Sequence, residues 1–255
     1  MRLSDFQFRR RGNGKSVWRI IWWWIIMRDL SATFVRIFHR LRVSRRDRIP
    51  PSGALIIVSN HQSNLDPMIL GQLVGDRCPR FVARHELLAI PVFGWLMAGY
   101  GMIVVRRGES DIKAIREVLK DLDRGDAVVI FPEGTRTPDG SVKAFQRGLQ
   151  LLIGRSGAPV LPVAIEGAYD SWAIGTKGPR WTGRIRARAG EVITAQELST
   201  LSGDEGSDLI RRRVEALRME LRAEIREGTN GRLPAAGPGD RPYWESGAAG
   251  EAAVG

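Results

Sequence analysis

Three short runs in the 255-residue sequence combine residue types that can do chemistry. The first is NHQSNLDP, in which His61 precedes Asp66 by five positions. Imidazole is the natural general base near neutral pH. A carboxylate beside it would fix its tautomer and stabilise the imidazolium as it forms. The pair alone reads equally well as a turn histidine followed by an aspartate that caps a helix. The second run is FPEGTR, residues 131–136. Gly134 lets the backbone approach a ligand, and Thr135 and Arg136 offer donors suited to a phosphate or carboxylate. Glu133 is placed to orient Arg136 or to hold a substrate hydroxyl; a tight polar turn with an internal Glu–Arg pair is the alternative. The third is GMIVVRR, in which Arg107 either meets a substrate phosphate or is simply solvated. No group of His, Cys and Asp has metal-ligand spacing, so neither a metal nor another cofactor is expected. Cys78 is the one cysteine. It allows no internal disulfide, and no paired base suggests it as a nucleophile.

The elements that must position these groups are legible around them. NHQSNLDP follows the apolar run ALIIVS (residues 54–59), and FPEGTR includes the end of AVVIF (residues 127–131). Both runs read as buried strands, and a strand end is where α/β proteins present reactive groups. Asp66-Pro67 resembles a helix start. Further strands are expected at 80–83, 102–105, 160–165 and 184–189, and helices at 111–122, 145–156 and 209–225. Strands alternating with helices imply an α/β fold, a single mixed sheet flanked by helices. The expected organisation is a basic, Trp-rich segment at 1–48, an α/β domain at 49–227, and a Gly- and Pro-rich disordered tail at 228–255.

The net charge of +11 is concentrated at one end. Residues 1–48 hold thirteen Lys or Arg against three Asp, whereas the remainder holds twenty-six against twenty-five acids. Within that segment, VWRIIWWWIIM (residues 17–27) contains four tryptophans. Tryptophan settles at the headgroup boundary and cations pair with anionic lipid, so a membrane surface is the expected partner rather than nucleic acid. The uninterrupted apolar stretch is too short to span a bilayer. One or two amphipathic helices lying in the interface are expected instead, and no small-residue cleavage site marks a signal peptide. The competing expectation is that this helix packs on its own domain.

NHQSNLDP, GMIVVRR, FPEGTR and VLPVA (residues 160–164) occur in this order at suitable intervals. Together they resemble the four blocks of the glycerolipid acyltransferase family, typified by 1-acylglycerol-3-phosphate O-acyltransferases. The resemblance covers residues 54–167. ARHELLAIPVFG (residues 83–94) is similar to the family's linker between the first two blocks, with Arg84 where a lysine is usual. The resemblance implies that His61 is the general base on a glycerol hydroxyl and that Asp66 orients it. The hydroxyl attacks the thioester of acyl-CoA or acyl carrier protein directly. Arg84, Arg107, Glu133, Gly134, Thr135 and Arg136 would hold the phosphate-bearing lysophospholipid, and Pro162 would shape the pocket. The implied reaction turns lysophosphatidate into phosphatidate on the cytoplasmic face of the cell membrane, by a peripheral or monotopic protein. Glycerol-3-phosphate or another lysolipid is the alternative acceptor. A non-catalytic membrane-binding module, or a nucleic-acid-binding protein using the basic N-terminus, would need a different account of the ordered blocks.

Overall fold

The computed structural model describes residues 25, 29–84, 102–105 and 111–245. Seven strands form one sheet: β1 (Arg42–Ser44), β2 (Leu55–Ser59), β3 (Arg80–Arg84), β4 (Ile103–Val105), β5 (Ala127–Ile130), β6 (Val160–Glu166) and β7 (Arg186–Ala189). Their spatial order is β1-β7-β6-β2-β5-β3-β4. Every neighbouring pair is parallel except β6 with β7, so the sheet is mixed.

The central strands are continuous apolar runs because both faces of the sheet are covered. Leu55 and Ile57 of β2 face one core with α1 (Ser31–His39) and α2 (Asp66–Val74). Ile56 and Val58 face the other, with α3 (Asp111–Asp123), α4 (Arg147–Ser156) and α7 (Gly203–Glu227). Two short helices, α5 (Ala168–Ser171) and α6 (Ala195–Ser199), complete the described elements. In α3 the helical spacing buries Ile115, Val118 and Leu122 while Lys113, Arg116 and Lys120 face out, as an amphipathic helix requires.

Three boundaries differ from the sequence expectation. The sheet begins at β1, inside the segment assigned to membrane association, and α1 buries Val35 and His39 completely. A three-residue strand with an exposed arginine at its head carries no apolar periodicity by which it could be recognised. Helix α7 starts six residues before the expected 209, where Ser202 Oγ accepts from Glu205 N at 3.3 Å and Ser202 N donates to Glu205 Oε2 at 2.8 Å. That reciprocal cap satisfies two amides that a helix start leaves orphaned. Residues 228–245, expected to be disordered, fold back on α7, where Asp240 Oδ1 accepts from Arg222 Nη2 and Arg226 Nη2 at 2.6 Å each. The Gly- and Pro-rich composition set that expectation; one acid opposite stacked arginines overrides it.

Candidate active site

Because β2 and β5 are parallel neighbours in the register Val58↔Ile130, their carboxyl ends lie side by side. The topology therefore brings NHQSNLDP and FPEGTR together, although they are seventy residues apart. His61 Nδ1 lies 2.7 Å from Asp66 Oδ2. The same oxygen accepts from Gln62 N at 2.6 Å and Ser63 N at 2.8 Å. Asp66 is fully buried, whereas the His61 side chain keeps 18% of its exposure. With Nδ1 donating to Asp66, the imidazole presents the lone pair on Nε2. Asp66 opens α2 with Pro67 behind it, but its side chain does not cap that helix. It reaches back to tie the preceding turn, which corrects the reading of Asp66 as a helix cap.

The imidazole is also held from below and behind. Its ring stacks on Phe131, with centroids 4.2 Å apart and planes at 20°. His61 N donates to Glu133 Oε1 at 3.0 Å, and His61 O accepts from Thr137 N at 2.8 Å. Glu133 Oε2 accepts from Lys143 N at 3.3 Å. Glu133 is thus a buried strut between the two loops, with both oxygens engaged by backbone amides; no ion pair links it to Arg136 among the described residues. Burial pushes the Glu133 carboxyl up to about 8, against the pull of the His61 and Lys143 amides, and the nearby Asp66 charge pushes the same way.

The other expected residues fall into place unevenly. Gly134 has φ +69°, and a Cβ there would lie 2.1 Å from Gln146 Nε2, so the glycine serves the turn itself. Thr135 is exposed and Arg136 half-buried, with no hydrogen-bond or ion-pair partner among the described residues. Burial lowers the Arg136 guanidinium, and the charge of Asp66 opposes that shift. Arg84 closes β3 beside Val105, and its side chain lies outside the described residues, as does Arg107. Pro162 sits inside β6 opposite Val58, its carbonyl accepting from Gly190 N at 2.8 Å. It lines a cleft of about 510 Å³ with Arg45, Arg48, Arg188 and Glu220. That cleft lies toward the end of β6 remote from His61, so Pro162 does not line the dyad.

The chain is similar over residues 40–166 to the family model described as Acyltransferase. Human 1-acyl-sn-glycerol-3-phosphate acyltransferase alpha is 30% identical over 194 residues, covering 74% of this chain and 67% of that protein. The chain belongs to the acyltransferase family. A chloroplast 1-acyl-sn-glycerol-3-phosphate acyltransferase of Arabidopsis thaliana is 26% identical over 175 residues, 68% of this chain. The match spans about half of that relative, 49% of its length. The crystal structure of the 1-acyl-sn-glycerophosphate acyltransferase from Thermotoga maritima superposes with a TM-score of 0.59 at 27% identity, covering 79% of this chain and 77% of that one.

Sequence reading missed the residues that hold the acyltransferase turn in place. Asn60 brackets β6, Nδ2 donating to Ile165 O at 2.8 Å and Oδ1 accepting from Ile165 N at 2.9 Å. Ser63 Oγ donates to Trp172 O at 2.9 Å. Gln62 Oε1 accepts from the amides of Ala168 and Tyr169, and its Nε2 donates to Glu166 Oε2 at 3.1 Å. Glu166 in turn receives Arg218 Nη1 at 3.2 Å and Arg222 Nη1 at 2.6 Å, all three side chains buried. Arg218 is further gripped by Glu215 through two contacts of 2.8 Å. The available signal was arginine at 218, 222 and 226, one stripe of a helix in need of buried or tail acids.

Proposed function

We propose that the chain transfers an acyl group from acyl-CoA or acyl carrier protein to the free hydroxyl of 1-acylglycerol-3-phosphate, giving phosphatidate. The single observation that carries the reading is the His61–Asp66 contact of 2.7 Å, on a fully buried carboxylate and a part-exposed imidazole. In this reaction Nε2 of His61 takes the hydroxyl proton as the oxygen attacks the thioester carbonyl. The carbon–sulfur bond then breaks and the imidazolium returns the proton to the thiolate. Asp66 stabilises the imidazolium and holds the tautomer. Arg136 and Arg107 take the phosphate, with Arg84 and Thr135 at the margin of the acceptor. Glu133 and Gly134 act indirectly, by shaping the loop that carries Arg136.

The lysophospholipid stays in a bilayer through its one acyl chain, so the enzyme must work at the surface. No described helix is long and apolar enough to cross a membrane. The basic, Trp-rich residues 1–30 provide peripheral attachment to anionic lipid on the cytoplasmic face, and the chain from α1 to Asp240 forms the catalytic unit. The test is thiol release from each donor with lysophosphatidate as acceptor. His61→Ala is expected to lower the rate about 10³-fold with the fold unchanged by circular dichroism. Wild-type turnover in a folded His61→Ala protein would overturn the assignment, and turnover confined to lysolipids lacking a terminal phosphate would overturn the acceptor.

A further inference from the structure

The carboxyl end of the sheet carries more than the dyad. β6 ends at Glu166, and α5 and the segment 172–184 follow it directly, tied to the catalytic turn through Ser63 Oγ and Trp172 O. Glu166 pairs with Arg186, so the antiparallel β7 begins at this same end. β1 is parallel to β7 with Arg42 opposite Arg186, which brings the carboxyl end of α1 here too. Gly183 N donates to Phe38 O and Ile185 N to His39 O, stitching α1 to the end of that segment.

This rim gathers several exposed large apolar groups in one place. Trp181 is 72% exposed and Ile37 65%, with Leu30, the residue that precedes α1, at 66% and Ile174 at 39%. The Trp181 ring meets Phe38 edge to face with centroids 5.5 Å apart, so the two elements present one ridge. Cations surround the ridge. Residues 171–190 contain five Lys or Arg and no acid, and residues 30–46 likewise contain no acid. Arg42 stands opposite Arg186 in the β1–β7 register, and Arg186 Nη1 donates to Arg40 O at 2.9 Å, so the arginines of the two elements lie together. Of the five in 171–190, Arg188 is paired with Glu220 at 2.9 Å and Glu224 at 2.5 Å, which leaves Lys177, Arg180, Arg184 and Arg186 as the cations of the ridge, while Asp170 accepts from Ala235 N at 3.2 Å.

An aromatic and aliphatic ridge ringed by arginine matches a bilayer interface with anionic headgroups: the rings enter the boundary and the guanidiniums meet the phosphates. We propose that the Trp181 segment and the outer stripe of α1 form a docking face for an anionic membrane surface, turning the His61 end of the sheet toward the lipid. This orientation rests on the acyltransferase reading for its purpose, but not for its physics. Because α1 is packed into the domain, contact through its outer stripe together with the Trp181 segment fixes the direction in which the catalytic end points.

The test uses the full chain with Trp181→Cys carrying an environment-sensitive fluorophore; Cys78 is buried and is spared by the label. Leu151→Cys, an exposed apolar position on α4 across the sheet, serves as control. On phosphatidylcholine vesicles containing phosphatidylglycerol, the probe at 181 is expected to brighten and shift to the blue, and the probe at 151 to remain as in buffer. Trp181→Ser is expected to weaken vesicle partition about fivefold. It should slow turnover of vesicle-borne lysophosphatidate in proportion, yet leave turnover of a short-chain, monomeric lysophosphatidate unchanged. An unchanged probe at 181 on a chain that still pellets with vesicles would overturn the docking face while leaving the chemistry intact. A probe that answers to duplex DNA and not to vesicles would overturn it in favour of nucleic acid. Vesicle docking as expected, with full thiol release by His61→Ala, would overturn the proposed chemistry and leave the docking face standing.

Discussion

Replacing Glu166 with Gln tests whether the catalytic turn is held from behind. Glu166 is buried and accepts from Arg222 at 2.6 Å, Arg218 at 3.2 Å and Gln62 at 3.1 Å. Burial pushes its carboxyl up, and the two guanidiniums oppose that by favouring its charge. An amide in its place keeps one acceptor but aims an NH₂ group at a guanidinium. Removing one partner of a buried ion pair costs about 3–5 kcal/mol. Arg218 retains Glu215 and Arg222 retains Asp240, so the low end applies, about 3 kcal/mol. For a chain of this length each kcal/mol moves Tm by about 2–4 °C, so Glu166→Gln should lower Tm by about 6–12 °C. Below that transition kcat should fall about threefold with KM nearly constant, because Gln62, next to His61, loses one of its anchors while keeping the Ala168 and Tyr169 amides and Gly140 O, and transition-state geometry suffers first. Glu215→Gln is the control: it disturbs the same cluster without touching Gln62, and should lower Tm comparably while sparing kcat. Calorimetry and steady-state thiol release read both effects. A Tm within about 2 °C of wild type would refute the energetic argument. Equal loss of kcat in Glu215→Gln would refute the idea that Gln62 transmits it.

Two further predictions concern the dyad and its strut. Asp66→Asn should preserve the fold, since a carbonyl in the Oδ2 place can still accept the Gln62 and Ser63 amides and His61 Nδ1, but lower kcat about 10²-fold by removing the negative charge that stabilises the imidazolium; a loss under about threefold would exclude Asp66 as the charged partner of His61. Glu133, pushed up to about 8 from its ordinary 4.5, should make stability fall as pH rises. Between those two values the unfolded chain is ionised while the folded one holds its proton, so the unfolded state binds fewer protons and the slope is at most about 1.4 kcal/mol per pH step, levelling above 8. Denaturant titrations from acid to mildly alkaline pH should show this decline in wild type and not in Glu133→Gln; parallel profiles would contradict it.

The parts of the fold that the sequence announces are those governed by burial alone. ALIIVS and AVVIF are strands β2 and β5 because only a doubly covered sheet takes such unbroken apolar runs. The helix read at 111–122 closes one residue later, since its pattern is one stripe of apolar side chains. The approach of His61 to Asp66 was also foreseeable, five residues of turn being enough to close it. What escaped depends on partners far along the chain. The triplet RVS becomes β1 only because β7 offers a free edge. Glu133 was read against Arg136, three residues away, yet its partners are amides at 61 and 143, which no local pattern encodes. Gln62 and Glu166 look like ordinary polar residues until three dimensions place them against α7. The capping box at 202–205, by contrast, was written in the sequence and went unread.

The clasp of Asp240 on Arg222 and Arg226 also sets a timetable for biosynthesis. A nascent chain that has emerged as far as Glu227 has every strand and helix of the sheet domain, with His61 made some 160 residues earlier. Arg222, which holds Glu166 and through it Gln62, still lacks its second acid at that point. The support behind His61 is therefore fastened only once Asp240 has been made and has folded back on α7. A chain that stalls before Asp240 would carry the whole sheet with the arginine cluster behind the His61 turn less firmly held.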